Sequence, residues 1–336
     1  PPPPPPPHPF FFFTQMRENE ILSGLVGSEM CIRDRPMAGQ LLIEVDAVGL
    51  AFPDVLQCRG EYQVKPPLPF TPGGETAGRV IAVGEGVEDF RVGQKVISLG
   101  GGLSEQALVQ AQMSFGVPDS MDQVKAAALP MNYGTTWFAL HDRALIKSGE
   151  SLLVTGASGG TGSAAIQLGL AAGARVIAVA GGKEKADACR ELGADVVIDH
   201  KEEEDLVEKV REVTNNSGVD VAYDPVGGEV FQKVRRCMAW NGRLLVIGFV
   251  AGIPEIATNH VLLKNYSVVG VHWGASLGRD PGSFKQQMSS VVELSKSGEV
   301  DPLLHPTYEF DSANQALQDI ADRKVVGKVV VDLNKT

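Results

Sequence analysis

The residues with the clearest chemical meaning are Gly156-Ala-Ser-Gly-Gly-Thr-Gly162. They follow the apolar run Leu152–Thr155 and lead into Ala164, Ala165, Ile166, Leu168 and Leu170. A tight glycine turn between a strand and a helix lets backbone N–H groups and the helix N-terminus approach a pyrophosphate, whose charge the dipole favours. The spacing matches G-x-G-x-x-G at positions 157, 159 and 162, with Ala157 in place of the first glycine. Glycine turns also serve tight packing alone. Here the turn opens the first of several strand–helix–strand units, and that context points to dinucleotide binding.

The end of the next strand bears on which dinucleotide it would be. An NAD enzyme places Asp or Glu about 20 residues after the glycines to hold the ribose 2′-hydroxyl. This strand instead ends Ala178-Val-Ala-Gly-Gly182 and continues Lys183-Glu-Lys185. With no acid at the strand end a 2′-phosphate is not repelled, and Lys185, one turn into the following helix, can pair with it. Two lysines are also what an ordinary solvated helix face carries. The expected cofactor is NADPH.

The elements that must position these groups are legible from period and punctuation. From Gln40, Leu41, Ile43 and Val45 alternate with Leu42, Glu44 and Asp46, the pattern of a half-buried strand. Further strands at Ala77–Val83 and Lys95–Leu99, set among glycine turns, make this part mostly β. Then Leu152–Thr155, Arg175–Val179, Val196–Ile198, Val219–Tyr223 and Arg243–Ile247 alternate with helices. The helices start at Thr161, at Lys183, at the Leu206-Val207-Val210-Val213 face and at Val230, the last running to Trp240; Ser267–Val271 adds one more strand. Apolar β-branched strands between helices mean a parallel sheet covered on both faces.

The whole chain bounds its partners. Its 336 residues are 43% hydrophobic and 21% charged, a globular composition whose length suits two domains. A net charge of −11 argues against nucleic acid and against an anionic membrane surface, since both need a basic face. Small molecules are the expected partners. Cys31, Cys58, Cys189 and Cys237 form no C-x-x-C pair, so neither a disulfide framework nor a thiolate zinc cage is indicated. With no apolar run long enough to span a membrane and no signal-peptide core, the expected location is cytoplasmic.

Residues 1–35 do not match the rest: a proline tract, four phenylalanines and Ser28-Glu-Met-Cys-Ile-Arg-Asp-Arg35 show no sustained period. A transit peptide would be poor in acid, and this stretch carries Glu18, Glu20, Glu29 and Asp34. A polyproline partner motif fits by composition. The segment also resembles out-of-frame translation of library adapter, so it is read as a non-native or disordered leader and set aside.

With Asp224-Pro-Val-Gly-Gly228 and Val246-Ile-Gly-Phe249 added to the glycine turn, the chain resembles the medium-chain dehydrogenase/reductases, in particular the zinc-independent quinone oxidoreductase group that includes zeta-crystallin. The resemblance covers about Gln40 to Leu333. Asp54-Val-Leu-Gln-Cys-Arg-Gly-Glu-Tyr62, Pro69-Phe-Thr-Pro-Gly-Gly-Glu75 and Gly84-Glu-Gly-Val-Glu-Asp-Phe-Arg-Val-Gly93 repeat the group's signatures upstream. It implies an α/β fold: a GroES-like, mostly β catalytic domain from residues 36–128 and 268–336, N-terminally truncated, with a Rossmann domain inserted at 129–267. A further strand pair before Gly39-Gln40 is expected in the family, and the leader stands in its place.

The resemblance also implies cofactor contacts. They are Ser158, Gly159, Gly160 and Thr161 at the pyrophosphate, with Gly181, Lys185 and His200 around the 2′-phosphate and Arg323 as a further phosphate ligand. Gly248, Phe249 and Val250 with Gly270, Val271 and His272 lie toward the nicotinamide half, and Thr136 joins the set. Zinc-dependent relatives carry a Gly-His-Glu motif and a cysteine-rich lobe; this chain reads Gly73-Gly74-Glu75, so no metal is expected. Quinone reductases commonly have Asn and Tyr flanking the Asp54 position. Here Ala51 and Leu56 stand there with Tyr62 retained, giving a more apolar substrate pocket and no identified catalytic residue.

The implied activity is NADPH-dependent, zinc-independent hydride transfer to a quinone or a conjugated carbonyl alkene. An enoyl-thioester reductase and a non-catalytic, crystallin-like NADPH-binding protein are the alternatives. A homodimer paired through Val268–Val271 is expected, because a bare apolar edge strand is a liability that a two-fold axis covers.

Overall fold

The structure is a computed structural model that describes residues 35–203 and 205–335; the leader, Arg35 aside, lies outside the described residues. The chain begins with β1 (Gln40–Leu50), α1 (Phe52–Cys58), β2 (Glu75–Val83), β3 (Lys95–Leu99), β4 (Gln106–Gln110), β5 (Ser114–Gly116), α2 (Gln123–Ala127) and α3 (Pro130–Trp137). It continues through β6 (Ser151–Val154), α4 (Gly160–Ala171), β7 (Arg175–Ala180), α5 (Lys183–Glu191), β8 (Val196–Asp199), α6 (Leu206–Val213), β9 (Val219–Asp224) and α7 (Gly228–Cys237). Then come β10 (Met238–Val246), α8 (Thr258–Lys264), β11 (Ser267–Gly270), α9 (Trp273–Arg279), α10 (Gly282–Ser297), α11 (Ala313–Ala321) and β12 (Val329–Asp332).

The early strands form one antiparallel sheet in the order β12-β1-β2-β3-β5, with β4 also paired to β1. Its centre is β1, which holds β2 on one side and both β4 and β12 on the other. Leu42, expected on a solvent face, is therefore buried along with Leu41, Ile43 and Val45. The return of β12 to pair Ala47–Leu50 builds this GroES-like unit from two distant parts of the chain, as the resemblance implied.

The second sheet is all parallel, ordered β11-β10-β9-β6-β7-β8. Successive residues of its strands feed different cores. Leu152, Val154, Val176, Ala178, Val221 and Tyr223 pack in one apolar cluster, whereas Leu153, Ile177, Val179 and Ala222 pack in another. A strand buried on both faces reads as an apolar run, which is why these strands were visible in the sequence. Between β6 and β9 the strand order reverses, and α/β sheets bind ligands at the carboxyl ends of such strands.

Two expectations shift. The helix expected to reach Trp240 ends at Cys237, because Met238 is buried and pairs with Val219 as the start of β10, leaving Trp240 67% exposed. The boundary expected at 268 falls inside β11, whose pairing with Arg243–Val246 puts Ser267–Gly270 in the parallel sheet.

Candidate functional site

The glycine turn sits at the reversal point. Gly156 takes φ +56°, Gly159 donates to its carbonyl at 3.0 Å, and Gly159 caps the twelve-residue helix α4. A Cβ on Gly162 would lie 2.3 Å from the Gly156 oxygen, so only glycine lets the turn close onto the helix. The turn is also held from outside its own sheet: Gly327 donates to the Ser158 carbonyl at 2.7 Å.

The facing wall comes from β9 and β10. Thr155 Oγ1 donates to Asp224 Oδ1 at 2.5 Å, and that carboxylate accepts the N–H of Val226 at 3.0 Å and of Gly227. Burial raises the Asp224 pKa against these bonds. The loop after β10 folds onto the same segment, with Ala251 donating to the Val226 carbonyl at 2.7 Å. The crevice thus runs between backbone-lined walls with glycine turns on both sides.

At the end of β7 the structure gathers cations. Lys185 Nζ donates to the Arg323 carbonyl at 2.8 Å, and Arg323 Nη2 donates to the Val250 carbonyl at 2.9 Å. The His200 ring lies over Gly181, where a Cβ would be 2.5 Å from Nε2. Lys201 joins the group: its Nζ would be 3.6 Å from a Cβ on Gly182. Burial first, and then the charges of Lys201 and Arg323, pull the Lys185 pKa down. Asp199 is the acid nearby, but its Oδ1 already accepts the N–H of Gly182 at 2.8 Å and of Lys201 at 3.0 Å.

A buried polar cluster underlies the other side. Asp54, 3% exposed, accepts the N–H of Ala51 at 2.7 Å and of Gly73 at 3.0 Å, tying α1 to the turn before β2. Glu75 accepts the Met131 N–H at 2.7 Å at the start of α3 and pairs with the ammonium of Lys328, which is as buried as its partner. Burial raises the pKa of both carboxylates, Lys328 opposing it. Beside this cluster Asn132, 3% exposed, holds its amide nitrogen without a partner among the described residues, next to Gly160.

Most residues expected at the site converge on this crevice. Ser158, Gly159, Gly160 and Thr161 form the turn, and Gly181, Lys185, His200 and Arg323 lie together at the end of β7. Gly248, Phe249 and Val250 lie on the facing loop, and Gly270 ends β11 with Val271 and His272 following, Val271 donating to the Val246 carbonyl at 3.1 Å. Thr136 is fully buried behind the turn: its hydroxyl is shared with Tyr223 at 3.0 Å and lies 3.4 Å from the Thr161 carbonyl. Ala51, Leu56 and Tyr62 are each partly exposed, and burial together with the Asp54 charge raises the Tyr62 pKa. Sequence reasoning missed Asn132, Lys201 and Lys328, whose roles arise from contacts made across the chain.

A nucleotide-fold sheet joined to a GroES-like sheet, with this crevice at the switch point, defines a dehydrogenase/reductase. The alcohol dehydrogenase GroES-like domain matches residues 37–119, and the family described as zinc-binding dehydrogenase matches residues 160–294. A quinone oxidoreductase-like protein 2 homolog of Nematostella vectensis is 36% identical over 320 residues, covering 94% of this chain and 87% of that one. Among solved structures, a mycobacterial protein complexed with NADPH aligns with TM-score 0.82 at 29% identity, covering 89% of this chain and 93% of that one. The CurK enoyl reductase aligns with TM-score 0.81, also at 29% identity, over 89% and 92%. The chain belongs to the quinone oxidoreductase family of the medium-chain dehydrogenase/reductases and is an oxidoreductase.

That family description names zinc, and the residues present do not fit it. Gly73 and Gly74 offer no donor atoms, and Glu75 already carries the Lys328 ammonium. Among the described residues no three His, Cys, Asp or Glu side chains gather.

Proposed function

We propose that the chain reduces quinones or carbonyl-conjugated alkenes with NADPH, without zinc. The observation that carries the reading is the gathering of Lys185, Lys201, Arg323 and His200 at Gly181–Gly182, a set of donors suited to a 2′-phosphate. The glycine turn and the α4 N-terminus suit a pyrophosphate, and the unpartnered Asn132 amide beside Gly160 is a donor in waiting. The NADPH complex of the mycobacterial neighbour agrees with this choice.

When bound, the reduced nicotinamide supplies a hydride. The chain's own residues orient and exclude water. The Gly248–Val250 and Gly270–His272 loops border the far end of the crevice, and Ala51, Leu56 and Tyr62 make the expected acceptor wall mostly apolar. A conjugated carbonyl needs only donors for the oxygen that collects charge, whereas alcohol oxidation needs a group to hold an alkoxide. Titration of the protein with NADPH and NADH, followed by turnover with a small quinone and a 2-alkenal, tests the reading.

The second sheet ends on β11, where Ser267, Val268 and Gly270 are exposed, and pairing with a second copy would cover this edge. We place the domains at 36–128 with the C-terminal part and 129–270. Among the described residues no helix is long and apolar enough to cross a membrane, and Cys58, Cys189 and Cys237 are unpaired, which supports a cytoplasmic setting.

A further inference from the structure

The glycine turn is gripped from two sides by segments outside its own strand and helix. On one side Gly327 donates to the Ser158 carbonyl at 2.7 Å and lies in a parallel bridge with Gly159. On the other, Asn132 of α3 packs on Gly160 so closely that a Cβ there would stand 2.4 Å from its amide nitrogen. Both grips lead back to one carboxylate. Glu75, at the start of β2, accepts through Oε2 the N–H of Met131, the residue before Asn132, at 2.7 Å. Through Oε1 it pairs with the ammonium of Lys328, the residue after Gly327. Glu75 is 1% and Lys328 3% exposed, and Gly49 makes room for the carboxylate, since a Cβ on it would lie 2.7 Å from Glu75 Cγ. The Lys328 main chain is held too, by the Leu303 carbonyl and the His305 N–H, but these bonds tie it to residues 303–305 and not to β2. A buried ion pair rarely repays its desolvation, and an apolar pair of similar volume is often as stable or more so. Stability alone does not explain this pair.

We propose that Glu75 and Lys328 are positioning residues for the cofactor: their ion pair joins the two grips and sets the glycine turn in the shape that takes a pyrophosphate before the cofactor arrives. A turn already held in its bound shape spares the cofactor the cost of ordering it. Neither charged side chain has to touch the cofactor, because Gly327 carries the effect through a main-chain bond and Asn132 through packing. The antiparallel sheet, through β2, thereby fixes the shape of a site that belongs to the parallel one. This inference rests on the reading of the glycine turn as the pyrophosphate site.

The test uses the full-length protein and the double variant Glu75→Gln with Lys328→Met, which removes the pair without leaving a buried charge alone. Urea stability and hydrogen exchange of the Gly159, Ser163 and Gly327 amides, each bonded in or onto the turn, are measured without cofactor. NADPH and adenosine 2′-monophosphate, which carries the 2′-phosphate but no pyrophosphate, are then titrated into parent and variant. The expected result is a split. The double variant recovers much of the stability that Lys328→Met alone loses, yet the three amides exchange about tenfold faster and NADPH binds about tenfold more weakly, while adenosine 2′-monophosphate binds as it does to the parent. A pair that served stability alone would move affinity and stability together. Should the double variant fold poorly, Glu75→Gln alone carries the test, because a carboxamide oxygen can still accept the Met131 N–H while the ion pair is lost, and the same split is expected. Turn amides that exchange as in the parent, unchanged NADPH affinity, or equal weakening of both ligands would each overturn the proposal. If NADPH slows exchange nowhere in the turn of the parent, the pyrophosphate reading falls instead, and the exchange measured without cofactor still decides whether the pair holds the turn.

Discussion

Lys185 of α5 donates to the main-chain carbonyl of Arg323 at 2.8 Å, although the two residues are 138 positions apart. The bond ties a helix of the parallel sheet to the segment that runs into β12 of the antiparallel sheet. Four residues later in that segment, Gly327 holds Ser158 of the glycine turn. Next to it, Lys328 pairs with Glu75. One short stretch therefore touches Lys185, the glycine turn and the buried Glu75.

Lys185→Glu should weaken NADPH binding by about ten- to a hundredfold, as expected for losing a charge-assisted hydrogen bond worth about 1.5–3 kcal/mol, with far less effect on NADH. Fluorescence titration of both cofactors measures it. Equal loss for the two would place Lys185 away from the 2′-phosphate.

Much of this arrangement was legible in the sequence, for physical reasons. The parallel strands show because both faces are buried, and the glycine turn shows because Gly162 tolerates no Cβ. What stayed hidden depends on distant contacts. Lys328 reads as a solvated lysine until Glu75 is placed beside it, and the position of the exposed Lys201 next to Gly182 depends on how β7 and β8 are paired. That Thr136 is buried between Tyr223 and the Thr161 carbonyl could not be read from a Thr135-Thr136 pair, because neither position reveals which one Tyr223 will claim. Trp240 looked helical because the apolar spacing of α7 carries on into Met238, which the sheet captures.

Lys328→Met should destabilise the fold by about 3–5 kcal/mol, because it leaves a buried carboxylate without its cation. Adding Glu75→Gln should recover a substantial part of that loss. Urea denaturation of the parent, both single variants and the double variant measures the coupling; additive losses would mean that the two side chains act independently.

Asp54 should give stability a characteristic pH dependence. Burial raises its folded pKa above the ordinary 3.8, so between the two values the folded state holds more protons than the unfolded state. This contribution is fully present below 3.8 and is lost as pH rises through the folded pKa. The stability of Asp54→Asn relative to the parent should therefore improve as pH rises across that window, whatever constant offset the lost N–H contacts impose. A pH-independent difference would show that Asp54 titrates normally.

Val268→Lys places a charge in the middle of the exposed edge β11, where Val268 is 39% exposed. The parent should be a dimer by light scattering at micromolar concentration and the variant a monomer, with cofactor affinity retained. A monomeric parent would refute pairing through this edge.

The most direct measurement is kcat/KM with NADPH and with NADH across a small quinone, a 2-alkenal, ethanol and butanol, in the presence of a metal chelator. The account predicts reduction of the quinone or the alkenal, at least tenfold preference for NADPH, and no oxidation of either alcohol with NADP⁺. Robust alcohol oxidation that the chelator abolishes would contradict it, since neither Gly74 nor the Lys328-bound Glu75 can hold the metal such a reaction would require.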